Sequence, residues 1–310
     1  MSVLYSHVPI GAPANEIAAP LPAEKGFTAE EKTYLDQNLR FTDDDIALVE
    51  RIGQRQDYFP RCPDIITNFQ RYIALAPEDR MNAALADLHE KTLRTGYIIE
   101  GLPKPESVFE HSMRLQARVD HYAPAAASET FKAHLKLLAE VHDLPEALIG
   151  DFPPNQIIAS SDKKQLEGLA ARLIFVGDAE RYAAYQEYEA KSTFSAQLMS
   201  DIDKIDALEM ALVYEGRYPD NQHIVRYNDS GSNGITGMYE TFKANSVERI
   251  KTDFGKYLLK ELDKSAEQIR ASAAPKQGDA SPDSLPTSGY FSALIENQKN
   301  ANNGMPGWAM

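Results

Sequence analysis

From residue 28 onward apolar and polar positions recur with a helical period, and the strict alternation of a half-buried strand is scarce. Thr28 precedes "AEEKTYLDQNL" with Glu31 three residues on, and Thr42 precedes "DDDIALVERIG" with Asp45 three on, both close to the capping-box pattern that opens a helix. Further helices are predicted over 63–76 and 78–94. Ser107 with Glu110 forms a full capping box ahead of "VFEHSMRLQARVDHY", where the N-cap alone contributes about 1 kcal/mol. Val108, Leu115 and Val119 fall near one face of that helix, and His111 shares it. His111 therefore points inward.

The next helix, predicted over 129–150, is closed by Gly150 at a C-cap position, and Pro153 and Pro154 prevent continuation. Pro145 lies inside it. A proline there costs about 3 kcal/mol and deprives the Val141 carbonyl of its usual partner, so a kink is expected beside His142 and Asp143. Helices follow over 161–176, 179–191 and 195–215. In the last, Leu198, Ile202, Ile205 and Leu212 make one stripe, and Met199, Asp203, Asp206, Met210 and Val213 make the stripe beside it. Residues 216–235 read as a long loop, and 237–271 as a final amphipathic helix with room for an interruption. The first 26 residues and the last 38 lack periodicity. The expected organisation is all-α: an N-terminal arm and helical extension over 1–80, a main helical bundle over 81–272, and a flexible tail over 273–310.

Composition narrows the function. A chain of 310 residues with 43% hydrophobic content can bury a sizeable core. Its 32 Lys and Arg against 46 Asp and Glu leave a net charge of −14, a field that repels polyanions and argues against a nucleic-acid groove. A small anion in a metal-lined pocket remains compatible with it. The single cysteine, Cys62, forms no intrachain disulfide, and no apolar run is long enough to cross a bilayer. A cytoplasmic protein without membrane partners is expected. Glycine-rich phosphate loops, G-x-S-x-G elbows and C-x-x-C pairs are absent from the sequence.

Against this background the stretch "LLAEVHDLPEALIGDFPP" stands out. It is apolar enough to be buried, yet carries His142, Asp143, Glu146 and Asp151 within ten positions. Buried carboxylates are costly unless paired, hydrogen-bonded or bound to a metal. Glu146 lies four residues after His142 and three after Asp143, so the three can face one point, with Asp151 at its rim. The inward His111 and an inward acid from "DIDKID" extend the set to two imidazoles with carboxylates; helical periodicity leaves Asp201, Asp203 and Asp206 all open as that acid. Such a mixture suits a borderline dication such as Mn, Fe, Co or Zn with coordination positions left open, which points to catalysis. His134 precedes His142 by a rise of about 12 Å, too far to share the ion.

His111, the adjacent His142 and Asp143, and the later Asp203 resemble the H…HD…D signature of the HD-domain metal-dependent phosphohydrolases. "RTGYIIEGLPKPESVFEHSMR", "HDLPEALIGDFPP" and "DIDKIDALEMALVYE" resemble its 5′-deoxynucleotidase group, over roughly residues 85 to 215. The resemblance implies an HD-domain helical bundle that removes phosphate from deoxynucleoside monophosphates, with a divalent metal (Mn, Co, Zn, Fe or Mg), and a homodimer. It implies His111, His142, Asp143 and Asp203 as metal ligands, choosing Asp203 over its two neighbours, and Glu146 and Asp151 as catalytic acids. Tyr97 would line the nucleoside side of the pocket, with Phe152, Pro153 and Pro154 closing it. One departure is Glu100, where the family usually has arginine. The phosphate would then rely on Arg94, Lys104, Arg114 or Lys204. Two other classes share the scaffold: a di-iron oxygenase, which calls for further histidines that do not stand at suitable spacing here, and a non-catalytic binding or regulatory protein, against which the intact ligand set argues.

Overall fold

The computed structural model describes residues 25–54, 64–102, 104–152, 158–218 and 237–272. Among them regular structure is helical, and the β-type pairing is one isolated antiparallel bridge between Leu93 and Ser107. The N-terminal helices are α1 (Ala29–Leu39), α2 (Asp43–Gly53), α3 (Ile65–Ala74) and α4 (Pro77–Glu90). The short α5 (Thr95–Ile99) leads to α6 (Val108–Tyr122), α7 (Glu129–Val141) and the single turn α8 (Glu146–Ile149). Next come α9 (Ser160–Ile174), α10 (Ala179–Ala190) and the long α11 (Phe194–Arg217); α12 (Met238–Ser246) and α13 (Asp253–Ser272) follow. The predicted loop over 216–235 and the arm lie almost wholly outside the described residues, and Pro153, Pro154, Cys62 and all of the tail over 273–310 lie outside them.

Both threonines and Ser107 form reciprocal capping boxes, so the starts of α1, α2 and α6 follow directly from the sequence. The helix expected over 129–150 is a correction. Instead of kinking, it stops at Val141, and α8 restarts at Glu146. The reason is local: Pro145 has no N–H, and the Val141 carbonyl accepts from Leu144 (3.4 Å) in a tighter turn. His142 and Asp143 thus sit on a turn between helices, where their side chains are not bound to one helical face. The interruption in the last predicted helix lies at residues 247–252, between α12 and α13.

The helices α6, α7, α10 and α11 pack on one another, and α12 and α13 cover the other side of α11. Asp201 fixes that cover by accepting from the backbone N–H of Lys251 (3.0 Å) and Thr252 (2.8 Å) and from the Thr252 hydroxyl (2.7 Å). The approach requires glycine at 255, because a Cβ there would stand 2.4 Å from the Asp201 carboxylate. On the opposite side α2 and α3 pack against α8 and α9, and Phe27, Phe41 and Phe69 meet edge to face. Arg80, buried on α4, joins these layers through the Leu173 carbonyl (3.1 Å) and the Tyr34 hydroxyl (2.7 Å). One continuous apolar cluster runs from Phe27 to Ala266. No described helix is long and apolar enough to cross a membrane.

Candidate metal centre

His111 lies one turn into α6 and is fully buried. Its Nδ1 is 3.1 Å from Asp206 Oδ2 and its Nε2 is 3.0 Å from Asp203 Oδ1, so α11 supplies an acid to each edge of the ring. Burial and the Arg94 guanidinium work against the imidazolium, but the hydrogen bonds to Asp203 and Asp206 outweigh them and push its pKa up to about 9. His142, capping α7, donates from Nδ1 to the Ala139 carbonyl (2.9 Å), which leaves the Nε2 lone pair free. That Nε2 is buried and makes no hydrogen bond; Asp143 Oδ2 lies 3.0 Å away but out of line for one. The two imidazoles meet edge to face at 5.6 Å.

Donor atoms of His111, His142 and Asp203 all lie within 4.8 Å of one another. Asp143 joins them, its Oδ2 being 4.0 Å from His111 Nε2, and Arg94 Nη1 donates to the same oxygen at 3.1 Å. Burial disfavours the Asp143 anion, yet the Arg94 guanidinium beside it holds its pKa below the usual carboxylate range. A divalent ion fits these residues on three counts. His142 Nε2 is an unpartnered buried lone pair aimed into the cluster; both Nδ1 atoms have acceptors that leave Nε2 as the ligating edge; and the donors mix imidazole with carboxylate. An ion and a proton compete for His111 Nε2.

Glu146 opens α8 beside this cluster. It is buried, its Oε2 has no hydrogen-bond partner, and its Oε1 is 3.9 Å from Lys163 Nζ. Burial, then the charges of Asp143 and Asp151, raise its pKa well above the ordinary value. Lys163 on α9 also donates to the Phe152 carbonyl (2.5 Å) and pairs with Glu167 (3.3 Å). No motif signals Lys163 in the sequence, and its role emerges only from the packing of α8 on α9. Asp151 accepts from the Thr95 N–H at 2.7 Å, tying the loop after α8 to the first residue of α5. Arg94, just before α5, is held close by the bridge to the start of α6, where its N–H reaches the Glu106 carbonyl at 3.0 Å.

The remaining expected residues lie elsewhere. Tyr97 is buried in the core, stacked on Phe242 at 5.2 Å and edge-on to Tyr214 at 5.1 Å, with its hydroxyl donating to the Ala207 carbonyl. Lys204 turns back along α11, its ammonium on the Ser200 carbonyl (2.5 Å) and hydroxyl (2.7 Å). Phe152 is buried and Pro153 falls outside the described residues. Glu100, at the end of α5, is buried. The three acids of "DIDKID" thus divide: Asp201 caps the start of α13, Asp203 enters the cluster, and Asp206 stands behind His111.

The chain is 36% identical over 137 residues to the 5′-deoxynucleotidase HDDC2 of Dictyostelium discoideum, a match covering 40% of this chain and 72% of that protein. It is 26% identical over 149 residues to the 5′-deoxynucleotidase hdd1 of Schizosaccharomyces pombe, covering 45% of this chain and 74% of that one. For the Xenopus laevis 5′-deoxynucleotidase HDDC2 the identity is 32% over 130 residues, covering 39% and 62%. The family model for the HD domain matches residues 86–238, a span that takes in His111, His142, Asp143 and Asp203. By these matches the chain belongs to the HD-domain family.

Proposed function

We propose that the protein is a metal-dependent phosphohydrolase that removes phosphate from deoxynucleoside 5′-monophosphates, with His111, His142, Asp143 and Asp203 as the metal ligands. The observation that carries this reading is the convergence of two imidazole Nε2 atoms on Asp203, one of them buried without a partner. The relatives' activity supplies the substrate class.

When bound, a divalent ion supplies Lewis acidity toward a phosphoryl oxygen and a water of lowered pKa. The protein does the rest. Asp206 and the Ala139 carbonyl hold the two imidazoles by their Nδ1–H groups, so that Nε2 of each is presented to the same point. Arg94 fixes the Asp143 carboxylate. Glu146, kept protonated by burial and by its acidic neighbours, gives its proton to the departing ester oxygen. Asp151 holds the mouth of the pocket by its bond to Thr95. Water adds its oxygen to phosphorus, the P–O ester bond breaks, the deoxynucleoside leaves with the Glu146 proton, and the proton released by the water restores Glu146 as inorganic phosphate departs. The single cysteine supports a cytoplasmic setting.

The test is phosphate release from nucleoside mono-, di- and triphosphates and non-nucleotide phosphoesters by metal-stripped protein resupplied separately with Mn, Co, Zn and Mg, with Asp143→Ala as the blank. Release from deoxynucleoside monophosphates that depends on metal and vanishes in the variant is expected. Metal-loaded protein that releases phosphate from none of them overturns the reading, and oxygen uptake by iron-loaded protein would replace it with an oxygenase.

A further inference from the structure

A phosphate ester is dianionic near neutral pH, and the pocket already holds the acids Asp143, Glu146, Asp151 and Asp203. Cations around it are largely engaged. Arg94 serves Asp143, Lys163 serves Phe152 and Glu167, and Lys204 serves Ser200. Arg114 and Arg118 are taken by Glu106, Asp206 and Glu209.

Lys191 differs. It caps the C-terminus of α10 in the left-handed region, with φ of 50° and ψ of 30°, a conformation in which glycine is favoured. Its ammonium rests 3.1 Å from the centroid of the Tyr188 ring, a cation–π contact. Among the described residues no hydrogen bond or ion pair engages that ammonium. The Tyr188 ring meets the His142 imidazole edge to face at 5.2 Å, and its hydroxyl lies 3.5 Å from Asp203 Oδ2. A single aromatic ring therefore connects the Lys191 ammonium to two residues of the metal cluster.

We propose that Lys191 is a phosphate-binding residue of this pocket, its ammonium braced on Tyr188 to meet the non-bridging oxygens of the substrate's phosphoryl group. The inference rests on the phosphohydrolase reading for the identity of the ligand. It also answers the departure at Glu100, since the charge that the family draws from arginine would come here from α10. The electrostatics fit an ammonium that lacks an anionic partner. Burial, opposed by Glu189 and reinforced by Lys204, brings its pKa down to about 8, and a bound phosphate would relieve that cost.

The left-handed backbone at 191 gives the proposal a clean test, because Lys191→Gly removes the ammonium while suiting the cap. Inorganic phosphate binding to Mn-loaded protein, followed by titration calorimetry, is expected to weaken about tenfold in Lys191→Gly. KM for a deoxynucleoside monophosphate should rise by a similar factor, and the melting temperature should stay level or rise. Lys191→Arg should keep phosphate affinity within about threefold of the parent. Equal phosphate affinity in the parent and in Lys191→Gly overturns the proposal, as does a parent that binds no phosphate. Equal weakening in both variants with a lowered melting temperature makes Lys191 a structural residue and overturns it as well. A parent that binds phosphate but hydrolyses no ester removes the phosphohydrolase reading instead, and Lys191 is still decided by the calorimetry.

Discussion

Two clusters of buried charge share His111, one at each edge of its ring. On the Nδ1 side Asp206, Glu106 and Glu209 face Arg114 and Arg118. Arg114 reaches Asp206 from Nε and Nη2 and grips Glu106 with its guanidinium end, while Arg118 joins Asp206 (3.2 Å) to Glu209 (2.5 Å). The Tyr122 hydroxyl donates to Glu209 at 2.6 Å. Burial alone would neutralise Asp206, but Arg114 and the bond to His111 hold it well below the usual carboxylate range. On the Nε2 side Asp143, Asp203, Glu146 and Asp151 have Arg94 and Lys163 for company, and His142 Nε2 and Glu146 Oε2 make no hydrogen bond among the described residues. In the first cluster every carboxylate has a guanidinium partner, and the cluster is finished when the chain folds. The second leaves two buried atoms without a hydrogen bond at the point where a dication would be held. Buried charge thus does two jobs in one bundle, and the orphaned atoms tell them apart.

The sharpest break of that contrast is Asp203→Asn. It removes an anionic ligand from the unfinished cluster and leaves the finished one untouched. Metal content measured after dialysis against Mn should fall to that of stripped protein, and phosphate release should drop on the order of a thousandfold or more. Full metal retention would mean that the ion is held elsewhere. Asp206→Ala attacks the other side. It strips Arg114 and Arg118 of a shared buried partner, and breaking such a network costs about 3–5 kcal/mol, read as a loss of denaturation free energy in metal-free protein. Because it also removes the acceptor that orients His111, metal affinity should fall about 10–100-fold. A variant that loses affinity but no stability would show that the two clusters are not separate devices.

The sequence carried the helices because their starts are written in local chemistry: Thr28, Thr42 and Ser107 each cap as their spacing predicts. It also brought His111 forward, on an apolar face, and His142, Asp143 and Glu146, as near neighbours, while Asp203 came from the family resemblance. What it could not carry is direction and long-range pairing. Periodicity left Asp201, Asp203 and Asp206 equivalent, and their separate fates depend on Thr252, His111 and Arg114, which lie 51, 92 and 92 residues away. The break at Val141 was expected as a kink because a proline announces a lost hydrogen bond, not how the chain turns afterwards. Lys163 and Lys191 had no signal, as each matters only through what folding brings beside it. Tyr97, an aromatic next to Ile98 and Ile99, reads equally as core or pocket wall, and in the structure it packs against Phe242 and Tyr214.

The smallest effect separates the clusters by pH. Glu146 has its folded pKa raised, by burial first and by Asp143 and Asp151 next, so the native state holds a proton that the unfolded chain releases above the ordinary glutamate range. The sign follows directly. Below that range both states are protonated and Glu146 costs nothing; as pH rises through it, the unfolded state gains and the fold loses stability. Glu146→Gln removes the penalty, so metal-free variant and parent should melt together near pH 4, with the variant higher by on the order of a few degrees near pH 7. Lys163 offsets this only in part, because its closer partners are the Phe152 carbonyl and Glu167. Turnover should move the other way by about a hundredfold, since glutamine cannot supply a proton to the leaving oxygen. The same exchange in the finished cluster, Glu209→Gln, also relieves a pKa that burial raises, but it takes a hydrogen-bond partner from both Arg118 and Tyr122, and that loss should outweigh the relief and lower the melting temperature at pH 7. Opposite signs for two buried glutamates are what a finished and an unfinished cluster require; equal signs would erase the distinction.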